Sequence, residues 1–169
     1  MGDDMNFREC APCTLCCTAK GVADLGKLSG QGCEYLCQTG CVIHGCHPEA
    51  CSDYHCAWSA NILCESDRPD LIGAVLDIIA CPKGVHPTGH MVQVSPATPG
   101  VIPPGRTREL IDTYLARDEI VLISGKEGGT GQVLYPDGVV QQFEIAISGE
   151  ETDPVTLRPY ASYSHRTDG

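Results

Sequence analysis

A chain of 169 residues with a formal charge of -11 is long enough for one ordinary domain or for two small ones sharing a core. Its 11 Lys and Arg are dispersed against 22 Asp and Glu, which excludes the clustered basic surface that phosphate binding requires. No apolar run reaches membrane-spanning length, the start MGDDMNFREC lacks the basic and apolar regions of a secretory signal, and Asn6 stands where a myristoylation motif wants Ser or Thr. The expectation is a soluble cytoplasmic protein that binds neither nucleic acid nor membrane.

All twelve cysteines lie between Cys10 and Cys81. This composition shift predicts a cysteine-rich module over residues 1–81, distinct from the cysteine-free remainder of the chain. In a reducing compartment thiols stay reduced, so dense cysteines there are metal ligands or redox groups before they are structural disulfides.

The module opens with CAPCTLCC, residues 10–17. A two-residue spacer lets Cys10, Cys13 and Cys16 turn within one tight loop toward a common point, which suits a metal ion or one face of an iron–sulfur cluster. Cys17 departs from that triplet, and neighbouring residues rarely point the same way. It serves a second centre or is simply buried.

A thioredoxin-like redox motif needs a strand before its CxxC, and there is no room for one before Cys10.

The second cluster, GCEYLCQTGCVIHGCHPEACSDYHCAW at 32–58, supplies Cys33, Cys37, Cys41, Cys46, Cys51 and Cys56, with His44, His47 and His55 interleaved. Cys33, Cys37 and Cys41 recur every four residues, which on a helix would align them along one face. The ligands suffice for more than one closed four-coordinate site. A buried free cysteine is also an ordinary small hydrophobe, so some of the twelve are expected to be only that.

These residues carry a resemblance. CAPCTLCC, then Cys33-Glu-Tyr-Leu36, then GCVIHGCHPEACSDYHCAW resembles the YkgJ-type cysteine-cluster family of zinc- or iron-chelating proteins. The family pattern is CxxCxxCC, CxxL and GCxIYxxRPxxCxxFxCxW, and RPDLIGAVLDI at 68–78 resembles the stretch that often comes after it. The resemblance implies Cys10, Cys13, Cys16, Cys17, Cys33, Cys41, Cys51 and Cys56 as metal ligands, with Tyr54 and Trp58 packing around them. His44 stands where the pattern has Tyr, and His47 where it has Arg. Cys37, Cys46, Cys64 and Cys81 have no counterpart in it and are left to an additional site or to the core.

The cofactor is an iron–sulfur cluster or Zn2+. Zinc favours paired CxxC knuckles from two separate loops, and one such run is present. The CxxCxxC triplet favours a cubane whose distant fourth ligand is Cys33 or Cys56.

Residues 82–105, PKGVHPTGHMVQVSPATPGVIPPG, are dense in Pro and Gly and read as a connection around a short strand near 91–94. His86 and His90, with Pro87 and Gly89 between them, read as surface histidines. TRELIDTYLARD, 107–118, predicts an amphipathic helix whose Leu110, Ile111, Tyr114 and Leu115 share a face, with Thr107 as its N-cap. EIVLIS at 119–124 predicts a strand, and GQVLYPDGVVQQFEIAIS at 131–148 a hairpin turning at Pro136-Asp137-Gly138. GKEGGTG, 125–131, lacks the ending of a phosphate loop and is read as a hairpin connection. The polar stretch 149–169 reads as a tail, or as an arm that orders on a partner.

The sequence therefore predicts an α+β protein: a cysteine-rich, metal-stabilised module, then a small antiparallel sheet with one helix at 106–148. The leading functional expectation is a metal-binding protein whose metal organises the N-terminal module, with no reaction assigned. A non-catalytic interaction subunit with a structural zinc, docked on a protein partner, is one alternative. A redox subunit passing electrons through an iron–sulfur cluster is the other. No Ser/His/Asp constellation, nucleophile elbow or zincin helix is present.

Overall fold

The computed structural model describes residues 6–146 and 155–159. The end of the expected hairpin at 147–148 lies outside them, as does most of the polar stretch 149–169.

The cysteine-rich segment is built from short elements. They are α1 (Cys16–Ala19), the two-stranded hairpin β1 (Leu36–Cys37) and β2 (Gly40–Cys41), α2 (Glu49–Ser52) and α3 (Pro69–Ile72). A five-stranded sheet comes next: β3 (Ala74–Ala80), β4 (His90–Pro96), β5 (Val121–Ile123), β6 (Thr130–Leu134) and β7 (Val140–Glu144), hydrogen-bonded in that order. The chain from β4 to β5 carries α4 (Arg106–Ala116). The α+β class expected from the sequence is what the chain adopts.

Every neighbouring pair in the sheet is antiparallel except β4 and β5, which run parallel with Val92 opposite Val121 and Val94 opposite Ile123. A parallel pair needs a long crossover, and the helix-bearing segment between them provides it. Alternation along the strands sorts the two faces. Val92, Val94, Val121 and Ile123 cluster with Leu110 and Ile111 of α4, while Tyr114 and Leu115 pack at the margin of the same core. The amphipathic face read from the sequence is thus the face that is buried.

Asp77 and Gln93, paired across β3 and β4, lie on the opposite face. There they meet the cysteine-rich segment. The ammonium of Lys20 pairs with Asp77 Oδ2 and donates to Gln93 Oε1 at 3.0 Å, and the Tyr54 hydroxyl donates to Asp77 Oδ1 at 2.7 Å. Gln93 continues the network by donating to Ser124 Oγ at 2.8 Å. The segment also shares the main core: Ala19, Cys56, Ala57 and Trp58 cluster with residues of β3, β4 and β5.

A second, smaller core holds Val85, Met91, Ile120, Val133, Tyr135 and Leu157. Leu157 reaches it from the described part of the C-terminal stretch. Arg158 closes over it, donating to both carboxylate oxygens of Asp137 at 3.2 and 2.9 Å.

The 135–139 turn closes β6 onto β7 as its sequence dictates. Gly138 takes φ 83°, and the Tyr135 N–H donates to the Val139 carbonyl at 2.9 Å. Two other expectations are revised. Thr107 is not the N-cap of α4: Gly105 occupies that position, and the buried Thr107 hydroxyl donates instead to the Ile72 carbonyl at 2.7 Å. Packing of α4 against α3 takes the hydroxyl that a free helix end would use. His86 is buried at 6 % exposure, not on the surface. Its Nε2 lies 2.8 Å from the Asp118 carbonyl, which can only accept, so the proton sits on Nε2, and Nδ1 is left to accept from Thr88 Oγ1 at 2.7 Å.

Candidate metal centre

Four stretches of chain deliver the candidate ligands. In the first, the Cys13 N–H bonds the Cys10 carbonyl at 2.6 Å and the Cys17 N–H the Thr14 carbonyl at 2.9 Å, so CAPCTLCC winds into α1. Cys16 and Cys17 are consecutive on that turn and project about 100° apart. Cys16 packs against the main core.

In the second stretch, the Cys33 N–H donates to the Cys17 carbonyl at 2.9 Å, which lays this stretch beside α1. The third is the β1–β2 hairpin, with Leu36 opposite Cys41 and Cys37 opposite Gly40. The four-residue spacing of Cys33, Cys37 and Cys41 is therefore not helical. Gly40, at φ 120°, turns the chain back, sending Cys41 inward and leaving Cys37 exposed.

The fourth stretch carries Cys51 on α2 and then Cys56, which is 8 % exposed. The Ala57 N–H donates to the Leu76 carbonyl at 2.8 Å, pinning Cys56 to the sheet. Trp58 is buried next to it, with its indole N–H on the Glu65 carbonyl at 3.0 Å and the Arg8 guanidinium 5.2 Å from its ring centroid. Trp58 lies in the main core and Tyr54 packs against it.

The thiols perturb one another across the four stretches. Burial pushes the Cys10 thiol up, and charge on Cys56 and Cys17 pushes it further. Cys16 feels Cys17, Cys10 and Cys13, and Tyr54 feels Cys56 and Cys16. Of these, Cys56 is in the core and Cys16 packs against it, while Cys10 is exposed. Cys51, raised by burial, feels Cys17, Cys33 and Cys41. Cys17 thus neighbours Cys10 and Cys16 as well as Cys51.

The Cys16 thiol donates to Cys17 and is itself pushed up, while Cys17 is held well below the usual thiol range, at about 6. Burial opposes that lowering, and the charges of Lys27 and His47 add to it.

Burial raises the Cys13 thiol against backbone hydrogen bonds from Leu15 and Asp70 that lower it, and the Asp70 carboxylate on α3 is held low by Arg68, at 2.6 and 3.0 Å.

All twelve cysteines are free thiols, so disulfides do not hold this segment. Among the described residues, no three Cys, His, Asp or Glu side chains converge closely enough on one point to hold a metal ion. Several of the thiols perturb one another without closing around a centre. Such a donor set fits a soft or borderline metal chemically, since thiolate is the ligand that zinc and iron–sulfur clusters select.

The four cysteines outside the resemblance are placed differently. Cys37, Cys46 and Cys64 are exposed, and Cys81 packs against the second core. Cys37 Sγ lies 3.2 Å from Thr39 Oγ1, and hydrogen bonding there lowers its thiol.

Two residues of this region escape a reading of the sequence, Lys20 and Lys27. The available signal is scarcity: between Cys10 and Cys81 the chain has three Lys or Arg, namely Lys20, Lys27 and Arg68.

No helix among the described residues is long and apolar enough to cross a membrane. Comparison with protein-family models, with curated proteins and with solved structures finds no match.

Proposed function

We propose that this is a metal-binding cysteine-cluster protein of the YkgJ type, in which eight thiolates hold zinc or an iron–sulfur cluster and the metal organises the N-terminal segment. What supports this reading is a cysteine-rich segment in which free thiols from four stretches of chain lie near enough to perturb one another. Cys10, Cys13, Cys16 and Cys56 would hold one centre, and Cys17, Cys33, Cys41 and Cys51 the other. Four thiolates complete a tetrahedral zinc site or ligate one cubane. The bound group supplies fold stability if it is zinc and electron transfer if it is an iron–sulfur cluster.

The segment holding these thiols is poor in regular structure. Its helices are single turns of four residues and its hairpin strands are two residues long. Elements so short cannot bury enough surface to hold themselves, so a metal is a fitting source of the missing free energy. We infer a reducing compartment, the cytoplasm, because dense cysteines serve as metal ligands where thiols stay reduced.

The test is removal of metal by a strong chelator under reducing conditions, followed by circular dichroism. Loss of structure with loss of metal supports the reading. An unchanged spectrum from stripped protein sinks it.

A further inference from the structure

We propose that the β6–β7 hairpin is a docking site for a segment of a partner protein in which an apolar residue precedes arginine, and that Thr156, Leu157 and Arg158 are this chain's own occupant of it. The site is lined by Tyr135, Asp137 and Gln141. It shares no residue with the thiol cluster and stands apart from the metal-binding reading.

Val133 and Gln141 are paired across β6 and β7, and alternation places them, with Tyr135, on the sheet face away from α4. There two side chains read the main chain of the C-terminal stretch. The Tyr135 hydroxyl donates to Gln141 Oε1 at 2.8 Å and accepts from the Arg158 N–H at 3.0 Å. Gln141, oriented by that bond, donates from Nε2 to the Thr156 carbonyl at 3.0 Å. Both contacts bracket Leu157 and reach main-chain atoms, so they hold a peptide without selecting its side chains.

Selection comes from the two anchoring side chains. Leu157, 9 % exposed, enters the second core beside Val85, Met91, Ile120 and Val133. The Arg158 guanidinium bonds both oxygens of Asp137 and lies 4.8 Å from the centroid of the Tyr135 ring. A position that meets a carboxylate with two parallel donors and covers an aromatic ring suits arginine and not lysine.

Each of these contacts involves a side chain, whereas the strands of the sheet are joined by main-chain ladders. Val155, Thr156 and Pro159 around the two anchors are exposed. Main-chain bonds for affinity and side-chain pockets for specificity are how a linear peptide is bound. Exchange of Thr156, Leu157 and Arg158 for a peptide of the same chemistry therefore leaves the ladders intact. Charge favours that occupant: the Asp137 carboxylate awaits a cation, and a chain of formal charge -11 attracts a basic segment.

The experiment titrates the isotope-labelled full chain with the capped peptide Val-Thr-Leu-Arg-Pro and follows the amide resonances of residues 135–141. Leu157→Ser combined with Arg158→Glu releases the chain's own occupant and leaves the hairpin untouched. Saturable shifts are expected in this variant, with binding to wild type weaker by roughly 10-fold or more, because a tethered occupant competes at an effective concentration on the order of millimolar. Adding Asp137→Asn, which keeps an acceptor for the Val139 N–H, is expected to weaken the peptide by roughly 10-fold, the worth of a charge-assisted bond. No shifts in the folded variant overturn the proposal, as does binding that is indifferent to Asp137→Asn. Should the double variant fail to fold, Arg158→Ala alone replaces it with the same expectation, and unfolding of both overturns the proposal by making 155–159 a fixed part of the core. A wild-type dimer that the double variant dissociates assigns the site to a second copy and overturns it too.

Discussion

The backbone N–H of Cys33 donates to the carbonyl of Cys17 at 2.9 Å. This bond joins two stretches of chain, each of which carries a thiol of the second set, and it does so through main-chain atoms. The ligand set is thus organised by backbone pairing, and side-chain substitution tests the metal without dismantling the pairing.

Replacing cysteines one at a time separates ligands from bystanders. Cys17→Ser, Cys33→Ser and Cys51→Ser are each expected to lower bound metal by one centre. Cys37→Ser, Cys46→Ser and Cys64→Ser leave the metal-to-protein ratio at the wild-type value. Elemental analysis of the purified variants checks this.

Removing the metal is expected to be visible at Trp58, the single tryptophan of the chain. It is buried beside Cys56 in the main core, so loosening the ligand segment exposes the indole. A red shift of its emission on chelation, reversed on adding metal back, is the expected outcome, with a lower urea midpoint in the stripped protein.

The contact of Tyr54 with Asp77 ties the ligand segment to the sheet. Tyr54→Phe removes a hydrogen bond to a charged, largely buried acceptor and is expected to cost about 1.5 to 3 kcal/mol in urea denaturation. Metal content should stay unchanged, because Tyr54 is not a ligand.

Asp67 gives a pH dependence of defined sign. Its carboxylate accepts two bonds from Arg106, at 2.7 and 3.0 Å, and these hold it below the usual carboxylate range. A group whose folded pKa is depressed contributes stability above its unfolded pKa, about 3.9 for Asp. That contribution is lost as pH falls below this value toward the depressed one. Asp67→Asn should flatten the acid limb of the stability curve there relative to wild type. Arg106→Ala, which leaves the 1 % exposed Asp67 without its partner, is expected to cost about 2 kcal/mol at neutral pH in thermal unfolding.

Locality decides how much of the fold is legible in the sequence. The amphipathic spacing of Leu110, Ile111, Tyr114 and Leu115 and the Pro136-Asp137-Gly138 turn are short-range signals, and both elements are present. Strand β3 escapes such a reading because Asp77 interrupts its apolar run, and the residues that make a buried Asp tolerable, Lys20 and Tyr54, are remote in sequence. The same holds for His86, buried through the distant Asp118 carbonyl, and for Thr107, diverted to Ile72. In the candidate centre, spacing indicates that the thiols belong together. It does not reveal that the adjacent Cys16 and Cys17 thiols bond one another, which depends on how α1 presents them.

The most direct test is elemental analysis with an absorption spectrum on protein purified without oxygen. The account expects zinc near two per chain in a colourless sample, as two tetrahedral sets of four thiolates require, or iron with sulfide in a brown one, lowered in either case by one centre in Cys51→Ser and unchanged in Cys37→Ser. A folded, metal-free protein whose twelve thiols all react freely with a thiol reagent would contradict it.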